Sequence, residues 1–310
     1  MTQNELIERL TAIGADDPMA ESCIILERLF GVSYSDLLLN REKSYSSSEL
    51  DSLLKKREDR VPLQYILGEW QFMGKDFYVS SDCLIPRPDT EILVEKAIEI
   101  VKKCTQGRGF LMQNAKCKMQ NSEDGMQNAK CKMQNEENEE LAVADLCTGS
   151  GCIGLSLLMY TDLKSITLMD ISRGALDMAI KNAKRHNLEN RCEFILGDIT
   201  KEMPQKRFDL IVSNPPYIPS ADVTALSEEV RKEPWLALDG GADGLDIIRF
   251  LIGDGLSYLK NDGAMLIEFG YDQGEVMDTL LREKQDTGSI KSYKIIYDYG
   301  KNPRVALIFK

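Results

Sequence analysis

One run of eighteen residues restricts the fold more than any other. Leu141-Ala-Val-Ala-Asp145-Leu-Cys147-Thr148-Gly149-Ser150-Gly151-Cys-Ile-Gly154-Leu-Ser-Leu-Leu158 reads as a buried strand, a glycine-rich turn and an apolar helix. A short strand that feeds straight into a helix is the opening of a parallel α/β unit. The glycines satisfy G-x-G-x-x-G, which allows a tight turn and lets a ligand approach backbone N–H groups. That pattern alone fits NAD, FAD or S-adenosylmethionine. Asp145, four residues before the first glycine, tips the choice: a carboxylate there suits the cationic amino group of S-adenosylmethionine and would repel a pyrophosphate.

The next two strands repeat the arrangement. Ser165-Ile-Thr-Leu-Met-Asp170 ends in an acid placed to accept both ribose hydroxyls. Cys192-Glu-Phe-Ile-Leu-Gly-Asp198-Ile199 ends in another, where Asp198 can accept from an adenine amino group while Ile199 packs on the ring. Taken singly, a strand-end acid is an ordinary turn residue. Three in order are hard to explain as turns.

A fourth strand, Phe208-Asp-Leu-Ile-Val-Ser213, stops at Asn214-Pro215-Pro216-Tyr217. Proline lacks an N–H and fixes φ, so neither proline can continue a central strand. The loop is therefore stiff, and it lies at the carboxyl end of a strand, where open α/β sheets bind ligands. Asn214 offers a side-chain carbonyl and Pro215 a backbone carbonyl with no N–H from Pro216 beside it. Two such acceptors can hold both hydrogens of a planar amino group, with Tyr217 flat against the group that carries it. A rigid turn with a buried tyrosine is the plainer reading of Asn-Pro alone; all four residues directly after an apolar strand are more specific.

Further along, helices are expected over about 245–259 and 273–283, with a strand over Ala264–Phe269 between them. Tyr293–Tyr299 and Arg304–Phe309 close the chain as an antiparallel hairpin. The expected fold is α/β, a doubly wound Rossmann-like sheet, mainly parallel, with that hairpin at one edge.

Residues 1–62 differ. Leu6, Ile7, Leu10 and Ile13 recur at helical spacing up to Gly14, and three more short amphipathic helices follow, giving a small bundle with no visible chemistry. It serves substrate docking or acts as a stabilising appendage. Residues 63–85 are expected to form a β-hairpin linker, and 86–310 the catalytic domain. Pro86-Arg87-Pro88 is a rigid turn before a helix from Glu91 to about Lys103; Arg87 and Glu91 are candidates to line the cleft. Within 105–140 the decamer at 112–121 recurs letter for letter at 126–135. Two copies do not make a solenoid, and the polar composition predicts a mobile insertion.

Composition excludes several classes. The eight cysteines include no C-x-x-C pair and His186 is the sole histidine, so no metal site is expected. No basic-then-apolar leader and no membrane-length apolar run are visible, which points to the cytosol and away from membranes. A net charge of −12 argues against a broad nucleic-acid footprint, and residues 1–80 carry nine Lys and Arg against fourteen Asp and Glu.

Several segments resemble the peptide-chain release factor glutamine methyltransferases, the PrmC/HemK family: Gln64-Tyr-Ile-Leu-Gly68, Leu84-Ile-Pro-Arg-Pro-Asp-Thr-Glu91, Asp145–Gly151, Asp170, Asn214–Tyr217, Glu233-Pro234, Ala237–Leu245 and Gly300–Arg304. The Ile-Pro-Arg-Pro-Asp-Thr-Glu and Ala-Leu-Asp-Gly-Gly segments carry the specificity. The resemblance implies S-adenosyl-L-methionine as methyl donor, S-adenosyl-L-homocysteine as product, and a protein substrate: the side-chain amide of the glutamine in the Gly-Gly-Gln motif of peptide chain release factors. It implies Asn214, Pro215 and Tyr217 as catalytic residues, with Pro216, Arg87 and Glu91 around the substrate. Asp145 to Gly151, including Cys147, Thr148 and Ser150, would hold the cofactor with Asp170, Asp198, Ile199 and Asn214. The nearest rival is an adenine or guanine amino methyltransferase on DNA or RNA, with Tyr217 stacking a flipped base. A regulatory cofactor-binding module without catalysis is a further class, made improbable by the complete set of strand-end residues.

Overall fold

The computed structural model describes residues 1–40, 42–105 and 140–310. The duplicated decamers, and the expectation of a mobile insertion, lie outside the described residues.

Four helices open the chain: α1 (Gln3–Ile13), α2 (Pro18–Phe30), α3 (Tyr34–Leu39) and α4 (Ser48–Glu58). Each begins at a residue whose side chain accepts from the first turn: Thr2, Asp17, Ser33 and Ser47. Gly14 and Gly31 end the first two in the left-handed conformation. Their apolar faces meet in a core that includes Leu6, Leu10, Ile25, Leu26 and Leu54. A fifth helix, α5 (Leu63–Leu67), was expected as part of a hairpin. Its Leu63, Ile66 and Leu67 pack on the bundle core, a helical spacing that the aromatic and β-branched content masked. The hairpin itself is shorter: β1 (Glu69–Phe72) and β2 (Lys75–Tyr78), paired antiparallel.

Helix α6 (Thr90–Thr105) leads toward the main sheet, where β3 (Val143–Leu146), α7 (Cys152–Tyr160), β4 (Ile166–Asp170), α8 (Arg173–Arg185), β5 (Cys192–Leu196) and β6 (Phe208–Ser213) alternate. Three short helices follow: α9 (Ser220–Val223), α10 (Trp235–Leu238) and α11 (Asp246–Leu251). The last is much shorter than expected. It stops before Gly253, and a separate 3-10 turn, Asp254–Tyr258, takes over. Then come β7 (Leu259–Glu268), α12 (Gly274–Asp286), β8 (Ser292–Tyr297) and β9 (Pro303–Phe309).

The sheet order is β5-β4-β3-β6-β7-β9-β8. The first five strands are parallel and β9 runs antiparallel to both β7 and β8. Every residue of β3 and β4 is buried, so these strands read as continuous apolar runs. Alternation nevertheless sorts their faces. Leu210, Val212, Ala264 and Leu266 join the core beneath α6 and α7; Ile211, Met265 and Ile267 join the core beneath α11 and α12.

The bundle is tied to the sheet domain through Arg57, which is 1% exposed. Its guanidinium pairs with Glu21 inside the bundle and with Glu229, at 3.0 Å, in the segment that precedes Glu233. Arg60 reaches the same Glu229 at 3.3 Å. Among the described residues no helix is long and apolar enough to cross a membrane. His186, just past the end of α8, packs its ring against Phe77 with centroids 5.1 Å apart.

Candidate active site

Because four parallel strands end side by side, their carboxyl-end loops share one cavity. Its lining takes Cys147–Ser150 after β3, Asp170–Ser172 after β4, Gly197–Ile199 after β5, and Asn214 with Pro216 after β6. Arg87 and Thr90 close one wall; Pro234, Leu236 and Ala237 form another. Among the described residues that line it, the charged side chains are Asp82, Asp170, Asp198, Asp239 and Arg87. The balance favours a cation.

The glycine-rich turn is held by acids, not left open to a ligand throughout. Asp145 is fully buried and lies outside the lining. Its Oδ2 accepts from the Thr148 hydroxyl at 2.6 Å and from the Gly154 N–H at 2.9 Å. Its Oδ1 has no hydrogen-bond partner. Burial pushes this carboxyl up to about 7, against those two hydrogen bonds. Gly151 also lies outside the lining. Gly154 is where α7 meets the sheet: a Cβ there would sit 2.3 Å from Leu168 Cδ2 and 3.0 Å from Asp145 Oδ2. The third glycine of the motif therefore serves packing.

Asp170 lines the cavity and is itself tied down. Oδ2 accepts from the Gly149 N–H and Oδ1 from the Ser172 N–H, both at 2.8 Å. Burial raises its pKa. Each oxygen keeps a second lone pair for a ligand. Asp198 differs: Lys201 and Thr200 hold its pKa down at about 2, and they occupy both oxygens. Ile199 beside it is buried and lines the cavity. Ser150 Oγ is buried in the lining without a partner.

On the other side, Asn214 Nδ2 donates to Thr90 Oγ1 at 3.2 Å. Its carbonyl is thereby left as the acceptor within the cavity. Pro215 is buried behind Asn214 and Tyr217 lies outside the lining. The Tyr217 hydroxyl reaches Glu268 Oε1 at 3.5 Å, and its backbone carbonyl accepts from Gln273 Nε2 at 2.9 Å. The loop is backed by the 240–244 segment. A Cβ on Gly244 would lie 2.2 Å from the Tyr217 carbonyl oxygen, and one on Gly240 would lie 2.8 Å from Tyr217 Cα. That close approach is what the Ala-Leu-Asp-Gly-Gly sequence provides.

Of the two residues proposed beside it, Arg87 lines the cavity and Glu91 does not. Arg87 pairs with Glu233, whose Oε2 also accepts the Ile85 N–H at 3.0 Å. Glu91 instead accepts the Met73 N–H at 2.6 Å, fixing the hairpin turn to α6. Sequence reasoning missed Thr90, Glu268 and Gln273. Glu268 carried a signal: Ala264-Met-Leu-Ile-Glu268 is one more apolar strand that ends in an acid.

A mainly parallel doubly wound sheet with an antiparallel edge hairpin, and a cavity across its strand ends, is the class I methyltransferase architecture. The hMettl16 catalytic domain, solved in complex with a MAT2A 3'UTR hairpin, shares the fold with a TM-score of 0.51 at 14% identity, covering 95% of this chain and 80% of that one. Residues 130–233 match the methyltransferase small domain, and residues 2–68 match the PrmC N-terminal domain. The release factor glutamine methyltransferase of Moorella thermoacetica is 32% identical over 99% of this chain and 96% of its own length. That of Rhodospirillum rubrum is 34% identical over 96% of this chain and 81% of its own. The chain belongs to the release factor glutamine methyltransferase family.

Proposed function

We propose that this protein transfers a methyl group from S-adenosyl-L-methionine to the side-chain amide nitrogen of the Gly-Gly-Gln glutamine of peptide chain release factors. The observation that carries the reading is the orientation of Asn214: with Nδ2 tied to Thr90, its Oδ1 is left to accept, and the Pro215 carbonyl is assigned as the second acceptor. An amide nitrogen is a weak nucleophile because its lone pair is delocalised. Two acceptors that hold both N–H groups leave that lone pair facing one direction. Positioning of this kind supplies up to roughly 7–11 kcal/mol in well-aligned systems. The N-protonated product is strongly acidic, so no dedicated base is required.

The cavity fits the donor. Its acids suit a molecule with ammonium and sulfonium charge, and the buried Ser150 Oγ in the lining has no hydrogen-bond partner. When bound, the cofactor supplies an electrophilic methyl on sulfur. Asp170 is assigned to the ribose hydroxyls and Ile199 to the adenine ring. Asp198, already engaged by Thr200 and Lys201, shapes the adenine end more than it binds there. Asp145 acts by holding the Thr148–Gly154 turn in place. Arg87, clamped by Glu233, lies at the wall where a protein substrate enters.

The test is transfer of a labelled methyl group to a release factor, to its Gln→Ala variant, and to DNA and RNA oligonucleotides, each offered separately. Label confined to the unaltered factor is the expected result. Label on the nucleic acids, or equal label on the Gln→Ala factor, overturns the assignment.

A further inference from the structure

One short segment touches the bundle, the cavity and the acceptor loop in turn. At its start, Glu229 Oε1 accepts from Arg57 Nη2 at 3.0 Å and lies 3.3 Å from Arg60 Nη2, while Glu228 Oε2 lies 3.7 Å from Arg60 Nε. Both arginines are held by the bundle: Arg57 belongs to α4, and Arg60 donates to the carbonyl of Gly14, the cap of α1, at 2.8 Å. A single 3-10 turn, Val230–Lys232, then leads to Glu233, which is 5% exposed. Its two oxygens are engaged by Arg87 and by the Ile85 N–H. Pro234, Leu236 and Ala237 follow and line the cavity. Beyond them the Leu238 carbonyl accepts from the Ile218 N–H at 3.0 Å, and the Gly240 N–H donates to the Ile218 carbonyl at 2.9 Å. Ile218 directly follows Tyr217.

The wall in the middle has little core beneath it. Of the four residues of α10 only Leu238 is buried, and Leu236 is 61% exposed although it lines the cavity. Its position is therefore set by the ties at its two ends. Glu233 and Ile218 join it to other parts of the same cavity, Arg87 and the acceptor loop. Glu229 is the tie that reaches a body outside the cavity. Its partner Arg57 is 1% exposed, so solvent and salt screen this pair far less than a surface one.

We propose that Glu229 is a positioning residue for methyl transfer: by pinning the segment to Arg57 and Arg60 it sets where the Pro234–Ala237 wall stands, and with it how the acceptor glutamine is held beside Asn214. The inference rests on the acceptor reading above. The link has little slack, because one tight turn joins two carboxylates that are each fixed by an arginine. Cutting the Glu229 end lets the wall shift as a unit. Catalysis that depends on orientation is sensitive to such shifts; a misplacement of about 1 Å can cost roughly a hundredfold in rate. The bundle thus acts on the chemical step as well as on docking.

The experiment uses the full chain with a release factor and labelled donor. Glu229→Ala should lower kcat at saturating factor roughly tenfold, with donor affinity within about threefold of the parent. Glu229→Gln keeps an acceptor oxygen and should lose less. In both, Arg57 stays paired with Glu21, so no buried charge is left alone and the bundle keeps its fold. Arg28→Ala is the control: it cuts another ion pair of the bundle, to Glu69 on β1, which does not touch the wall, and kcat should stay at the parent value. The wall can also be read without turnover. Trp70 and Trp235 are the two tryptophans of the chain, so in a Trp70→Phe background the fluorescence comes from Trp235 on α10. Its quenching by acrylamide should change in Glu229→Ala and not in Arg28→Ala. A parent-like kcat in Glu229→Ala, a loss confined to KM for the factor, an equal kcat loss in Arg28→Ala, or unchanged quenching overturns the proposal. A fall in donor affinity that matches the fall in kcat overturns it as well. Failure of the parent protein to label the factor overturns the acceptor reading and this proposal with it; parent activity with unaffected variants overturns the proposal alone.

Discussion

The two halves of the cavity are built on opposite plans. On the cofactor side, the acids at the ends of β3, β4 and β5 spend lone pairs on their own chain: Asp145 on Thr148 and Gly154, Asp170 on Gly149 and Ser172, Asp198 on Thr200. These bonds within the chain fix the shape of the turn. On the side proposed for the acceptor, the Asn214 side chain lines the cavity and is tied by its nitrogen, to Thr90 Oγ1. In the proposed reading, one half would recognise by shape and charge, the other by the direction of hydrogen bonds. Substitutions should accordingly split into those that alter donor affinity and those that alter turnover.

The largest effect separates the halves most sharply. Asn214→Ala should lower kcat roughly a thousandfold, by analogy with removal of a single oriented group in other enzymes, while calorimetric donor affinity changes little. A comparable loss of donor affinity would erase the distinction. Next comes pH. Asp145 and Glu268 each have a folded pKa of about 7, above the values of 3.8 and 4.5 for free groups. The folded state thus holds protons that the unfolded chain has released. Stability is highest below about pH 4 for these groups and falls as pH rises to about 7, on the order of 3 kcal/mol for each. Denaturant titrations across that window should show the decline, and Asp145→Asn should shrink it; a rise with pH in the same window contradicts both shifts. Gly154→Ala places a methyl against Leu168 and should cost about 1–3 kcal/mol by overpacking, read as a lower Tm together with weaker donor binding. Smallest is Asp170→Asn. The Gly149 and Ser172 N–H bonds survive in part, so donor affinity should fall only about tenfold, roughly 1.4 kcal/mol, with kcat at saturation preserved.

Much of the sheet was legible because β3, β4 and most of β6 are buried apolar runs, and β4 is followed by a helix whose Ser172 cap is visible in the sequence. What misled was local. Leu63-Gln-Tyr-Ile-Leu67 looks like a strand by composition and became a helix because the bundle core needed Leu63, Ile66 and Leu67 on one face. The helix expected over 245–259 broke at Gly253, whose backbone is not helical, into α11 and a separate 3-10 turn. In the site, residues that end strands were readable from position. The partners that aim them were not. Thr90 lies 124 residues from Asn214 in sequence, and nothing local in either residue reports the other. Asp145 was read as a ligand contact because sequence shows a carboxylate at the right strand end but not which way it turns.

The glycine wall behind Asn214–Tyr217 has a consequence for what can be methylated. Gly240 and Gly244 press on the Tyr217 backbone with no room for even a methyl group, and Gln273 pins the same carbonyl from α12's leading turn. The Tyr217 backbone is thus packed closely from behind. An acceptor too wide for it gains nothing by pushing, so slenderness must come from the visitor. In the proposed reading, a glutamine that directly follows two residues without side chains is about as narrow a probe as a polypeptide can offer. On the proposed function, such a socket would select by the girth of the neighbouring backbone before any hydrogen bond to the amide is formed.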